Sequence, residues 1–110
     1  MFCLGSTDMQ DRHIEEIAQL LKSIAHPLRL KILCLLQEKE LSVGALRDQV
    51  HSSNANVSQH LAIMRRQGII TCRRDANFIH NRIADPRVTE LIKTMQHLFC
   101  HDEGAPPAGR

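Results

Sequence analysis

From Asp11 to Ala25 the apolar residues Ile14, Ile17, Leu21 and Ile24 recur every three or four positions, which predicts an amphipathic helix. His26-Pro27 interrupts it, and Pro27 suits the first turn of a second helix. That helix, running to about Glu38, is apolar nearly all round: Leu28, Leu30, Ile32, Leu33, Cys34, Leu35 and Leu36. So little polar face predicts burial. Leu41-Ser42 opens a short third helix to about Val50, with Ser42 as its N-cap. After a turn at His51-Ser52-Ser53, Ser53 caps a fourth helix from Asn54 to Gln67, which Gly68 closes as a left-handed residue.

The period then changes. Ile69–Arg74 and Phe78–Ile83 have strand character, and Asp75-Ala76-Asn77 between them makes a tight turn, so the pair reads as a hairpin. Asp85 caps a last helix with Pro86 at its first position, and its apolar stripe is Val88, Leu91, Ile92, Met95, Leu98 and Phe99. The order is α-α-α-α-β-β-α, mainly helical with a β-hairpin. Residues 1–10 are expected to be a flexible N-terminus, 11–103 the single folded domain, and 104–110 (Gly-Ala-Pro-Pro-Ala-Gly-Arg) a disordered tail.

Composition sharpens this picture. With 110 residues, three Phe and no Tyr or Trp, the core must be built from Leu, Ile, Val and Met. A core that small gains from dimerisation, and the long stripe of the last helix offers a surface for it. Net charge is only +2, but five Arg (65, 66, 73, 74 and 82) face one acid, Asp75, between Arg65 and Arg82. A basic segment in a near-neutral chain points to a docking face. No apolar run approaches the roughly 20 residues of a membrane span, and the N-terminus does not read as a signal peptide. The expected location is therefore cytoplasmic, with Cys3, Cys34, Cys72 and Cys100 as reduced thiols. No Cys-x-Cys or Cys-x-x-Cys pair marks a zinc knuckle.

On a helical wheel, Val57, Leu61 and Met64 of the fourth helix form one narrow sector. Ala55, Ser58, Gln59, Ala62 and Arg66 fall opposite, with Arg65 at the edge and Asn54 in the first turn. Small side chains let a helix sink into the DNA major groove, roughly 12 Å wide, while Ser, Asn and Gln reach base edges. From Asn54 to Arg74 there is no acidic residue, unlike an ordinary solvated helix. Arg73, Arg74 and Asn77 near the hairpin tip suit phosphates or the minor groove. His60 lies toward the buried flank, placed for packing or a phosphate rather than a base.

Three stretches carry a family resemblance: Leu20-Leu21-Lys22-Ser23-Ile24-Ala25-His26-Pro27-Leu28-Arg29-Leu30, Val57-Ser58-Gln59-His60-Leu61 and Gly68-Ile69-Ile70. Across about Ala18 to Cys100 the chain resembles the ArsR/SmtB winged helix-turn-helix repressors. The resemblance implies a homodimer built on the first and last helices, bound to double-stranded operator DNA, with an inverted repeat expected. It also implies that Asn54, Ala55, Ser58 and Gln59 face the bases.

The family is best known for metal sensing. One metal site needs a Cys-x-Cys pair where this chain has Ser42-Val43-Gly44. Another needs Asp-x-His where it has Asp85-Pro86-Arg87, and Arg cannot ligate zinc. His97 and His101, one turn apart, make half a site at most and read as exposed helix-end histidines. No metal and no cofactor is expected. Instead, Ile32-Leu33-Cys34-Leu35-Leu36 and Leu98-Phe99-Cys100 resemble the branch that responds to persulfides and polysulfides. There a cysteine pair on the second and last helices is the sensor, which here implies Cys34 and Cys100 and a small reactive-sulfur inducer. Two alternatives stay open: a repressor of the same fold sensing a metal, metalloid or peroxide, and an enzyme or protein-interaction module using a winged helix; for Cys34 taken alone, the rival reading is a small core hydrophobe. No Ser-His-Asp or Cys-His set marks an enzyme.

Overall fold

The computed structural model describes residues 9–100. The expectations for residues 1–8, Cys3, His101 and the tail lie outside the described residues. The elements are α1 (Asp11–Ile24), α2 (Pro27–Leu36), β1 (Leu41–Ser42), α3 (Val43–Val50), α4 (Asn54–Arg66), β2 (Ile70–Asp75), β3 (Phe78–Ile83) and α5 (Pro86–Cys100).

Caps set most boundaries. The Ser42 hydroxyl accepts from the Ala45 N–H at 3.1 Å, and the Ser53 hydroxyl from the Asn56 N–H at 3.0 Å. Asp85 Oδ1 accepts from the Arg87 N–H at 2.9 Å, with Pro86 between them in the position that needs no donor. The His26 ring caps α2 through Leu28 N–H at 3.1 Å. Gly68, at φ 77°, ends the turn after α4 in the left-handed region, as expected.

One element was missed. Leu41-Ser42 is read above only as the start of a helix. It also forms β1, pairing antiparallel with β3 (Leu41 with Asn81, Ser42 with His80) to give a three-stranded sheet in the order β1-β3-β2. Two residues carry no readable period, so this strand exists by tertiary pairing. Its clasp is Asn81, fully buried, whose Nδ2 donates to the Leu41 carbonyl at 3.1 Å. α2 stops at Leu36, two residues short of the expected Glu38.

The core gathers Ile32, Leu33 and Leu36 of α2, Leu46 of α3, Val57, Leu61 and Met64 of α4, Ile69, Ile70, and Val88 and Ile92 of α5. α1 contributes only its last turn, through Ile24 and the partly buried Leu20. The rest of its stripe is bare: Ile14 is 49% exposed, Ile17 42% and Leu21 45%. At the far end of α5, Leu98 and Phe99 are 63% and 77% exposed. An apolar groove lined by Ile17, Leu20 and Leu21 of α1 and Leu91 of α5 joins the two helices.

The hairpin turn places Ala76 at φ 57°, where a Cβ is strained. Gly68 also has positive φ, with nothing within 4 Å of where a Cβ would stand. Ala76→Gly should therefore stabilise the domain and Gly68→Ala should destabilise it, each by about 1 kcal/mol. Opposite shifts in thermal midpoint check the pair.

Candidate nucleic-acid interface

α4 is held by one side and bare on the other. Val57, Leu61 and Met64 are fully buried, and Asn54, Ala55, Ser58, Gln59, Arg65 and Arg66 are exposed. The turn before α4 is fixed by Asn56 Nδ2 donating to the Ser52 hydroxyl at 2.8 Å. α3 adds a contact that sequence reasoning missed: Arg47 Nη1 donates to Asn54 Oδ1 at 3.1 Å and also pairs with Asp48 at 3.0 Å. The first residue of α4 is thereby oriented from the neighbouring helix.

His60 is half-buried, with Nδ1 accepting from Arg29 Nε at 3.0 Å. It is tied into the protein, as the wheel implied. Burial, then His26, then Arg29 hold its pKa below the ordinary histidine value.

The β2-β3 wing carries its cations unequally. Arg74 and Asn77 are exposed, and no partner for either is seen among the described residues. Arg73, grouped with them above as a phosphate ligand, is engaged elsewhere. Its Nε donates to Glu40 Oε1 at 2.8 Å and its Nη2 lies 2.8 Å from the same carboxylate. Arg82 Nε approaches Glu40 at 3.7 Å. The register explains this: Thr71 opposes Arg82 and Arg73 opposes His80, so Arg73 and Arg82 share the sheet face beside the residue that precedes β1. The only hint of Glu40 in the sequence is an acid just before an unrecognised strand.

Cys34 and Cys100 are free thiols, both exposed, and both line one cleft of about 350 Å³ between α2 and α5. Its walls are Leu30, Ile92, Met95 and Phe99. Cys34 is therefore not a core hydrophobe: it sits on the exposed face of α2 that also carries Pro27 and Lys31. Burial in the cleft, then the charge of Cys100, push the Cys34 thiol pKa up. Beside the cleft Gln37 Nε2 donates to Gln96 Oε1 at 2.7 Å, joining the end of α2 to α5. Cys72 lies in β2, away from this pair. Among the described residues no three His, Cys, Asp or Glu side chains gather to hold a metal. Asp85, the carboxylate of the variant metal motif, is taken by Arg87 at 2.7 Å.

Residues 26–71 match the family model for bacterial regulatory proteins of the arsR family. The biofilm growth-associated repressor of Xylella fastidiosa is 36% identical over 96 residues, covering 87% of this chain and 83% of that protein. The chain belongs to the ArsR family. The transcriptional activator HlyU of Vibrio cholerae is 38% identical over 81 residues, covering 74% of this chain and 75% of that one. The crystal structure of the repressor BigR from Xylella fastidiosa superposes with a TM-score of 0.81 at 34% identity, covering 88% of this chain and 98% of that one. The architecture is thus the winged helix-turn-helix of ArsR-family regulators. These relatives are DNA-binding regulators of transcription, not enzymes. Among the described residues no helix is long and apolar enough to cross a membrane.

The Glu40 pair in this ArsR-family protein yields a pH prediction. Hydrogen bonding to Arg73, the largest cause, holds the Glu40 carboxyl below its ordinary value of 4.5. A depressed carboxyl stabilises the fold fully above that value and loses the contribution as the pH falls through the folded-state pKa. Thermal midpoints measured from pH 6 down to pH 3 should fall more steeply in wild type than in Glu40→Gln.

Proposed function

We propose that this chain is a homodimeric, cytoplasmic repressor that binds an inverted-repeat operator and is released by reactive sulfur acting on Cys34 and Cys100. The observation that carries the DNA half is α4 itself, whose outer face is exposed, free of acid and rich in Ser, Asn and Gln. Asn54, Ala55, Ser58 and Gln59 face the major groove. Arg65, Arg66, Arg74 and Asn77 meet phosphates or the minor groove. Arg73 joins them only at the expense of its bond to Glu40, and His60 acts from behind the reading face. The bare stripe of α1, continuous with the groove against α5, supports a second copy of the chain as its cover, because water is a poor partner for that much Ile and Leu.

The sulfur half rests on two exposed thiols sharing one apolar cleft. One thiolate attacks an inner sulfur of a polysulfide, keeping part of the chain and expelling the rest as hydropolysulfide. The second thiolate attacks the retained chain, closes a bridge and expels hydrosulfide. The two cysteines together lose two hydrogens, and the departing sulfur takes the electron pair. A bridge between α2 and α5 shifts the dimer helix against the reading helix, and a coupling of about 1–3 kcal/mol suffices for release.

The DNA assignment is checked on a duplex selected by the wild-type protein from a random-sequence pool. A dimer by sedimentation at micromolar concentration should bind it. Gln59→Ala should cost about 1–3 kcal/mol on that duplex and little on random DNA. Arg74→Ala should weaken both and flatten the salt dependence. A Gln59→Ala protein that binds both DNAs as wild type does would remove α4 from the reading role.

The switch is checked by adding inorganic polysulfide, peroxide, zinc or arsenite in parallel. Cys34→Ser and Cys100→Ser should each bind the duplex and keep it in polysulfide, while Cys72→Ser and Cys3→Ser release it. Intact mass of treated wild type should show two hydrogens lost and sulfur gained. Release by zinc alone, or release that survives loss of both thiols, would replace this inducer with another.

A further inference from the structure

The junction between α1 and α2 carries a side-chain bridge to α4 that the reading face does not use. Arg29, in the first turn of α2, donates from Nη1 to the carbonyl of Ser23 in the last turn of α1, at 2.7 Å. From Nε it donates to Nδ1 of His60, in the middle of α4, at 3.0 Å. The rings of His60 and His26 lie 4.4 Å apart. His26 is itself oriented, because its Nδ1 accepts from the Leu28 N–H. One guanidinium thus ties together the end of α1, the start of α2 and the middle of α4.

The chemistry of this bridge restricts His60. A guanidinium only donates, so the ring nitrogen it meets must keep its lone pair. His60 is then neutral, with its proton on Nε2. Protonating Nδ1 would set N–H against N–H, remove the Arg29 acceptor and add a cation beside one already there. The charged or titratable groups that bear on His60 are His26 and Arg29, one able to become a cation and the other always one. We propose that Arg29 and His60 form a proton-sensitive clamp that positions α4 for DNA, closed while His60 is neutral and open once it is protonated.

The direction of the pKa agrees with this geometry, since it lies below the ordinary 6.5. A histidine depressed in the closed state favours that state fully above pH 6.5, and the preference is lost as the pH falls below it. His60 is a positioning residue here, acting through the placement of Asn54, Ser58 and Gln59. The inference rests on α4 as the reading helix, and the test separates the two.

Affinity for the selected duplex is measured at constant salt from pH 7.5 to pH 5.5, in wild type and in His60→Asn. The asparagine amide oxygen accepts from Arg29 and does not titrate. Whatever each protein's affinity at pH 7.5, wild type should lose at least about threefold more than the variant over that range. A smaller difference, or a wild type that tightens relative to the variant, overturns the clamp. Comparing the two proteins' losses cancels changes at the other histidines. If His60→Asn fails to fold, imidazole nitrogen shifts of wild-type His60 decide: Nδ1 bare and Nε2 protonated at pH 7.5 supports the clamp, and the reverse overturns it. Loss of the Gln59→Ala effect sinks the reading face, whereas matching pH profiles sink the clamp alone.

Discussion

Three residues, Val57, Leu61 and Met64, fix how α4 meets the rest of the chain, and the other features of the surface depend on that. Each is fully buried, in a core where α4 packs against α3, α2 and β2. Burying side chains of this kind contributes roughly 1.5–3 kcal/mol apiece, far more than any single exposed polar contact. The helix is consequently pinned along one line and, among the described residues, has no packing partner along the opposite one. A helix anchored this firmly can leave Ala55, Ser58 and Gln59 in water without those residues having to stabilise anything. On the proposed reading, rigid anchoring also means that affinity for DNA is not spent on ordering this face.

The legible parts of this molecule are those with a period or a cap. α1, α4 and α5 announced themselves by apolar spacing, and Ser42, Ser53, Asp85 and Gly68 announced the ends by their chemistry. β1 was illegible because two residues have no period, and its cause lies in Asn81, forty positions away along the chain. Arg73 shows the same limit in the site. Its charge and its place in the hairpin were readable, but its engagement with Glu40 depends on strand register, which charge counting does not encode. Arg29 stood in plain view within the motif that marks the family, with no role, because its two acceptors are a backbone carbonyl and a ring on different helices.

Cys34 is the instructive case for burial. The apolar run around it predicts a buried helix, and Ile32, Leu33 and Leu36 are indeed buried. Yet a helix packed on several sides still has a rotational gap, and Cys34 occupies it. The same gap is closed from the other side by the end of α5, which brings Cys100 to it. Exposure makes both thiols reachable, while the apolar walls raise the Cys34 pKa and keep it largely a thiol at neutral pH.

α2 then has a definite mechanical place. Its first turn holds Arg29, which grips α1 and α4, and its last turns carry Cys34 and lead into Gln37, which grip or face α5. Between these ends Ile32 and Leu33 are fully buried while Lys31 stays exposed, so bending the helix would open cavities at the buried positions, each costing about 1 kcal/mol or more. A displacement imposed at the α5 end is therefore transmitted along the helix rather than absorbed within it. The end that receives it carries the Arg29 bridge to His60 of α4. On the proposed reading, sulfur chemistry and protonation act on opposite ends of one rod, and neither needs to touch the residues that face DNA. The exposed face of α4 carries no thiol, and the thiol cleft carries no residue of that face.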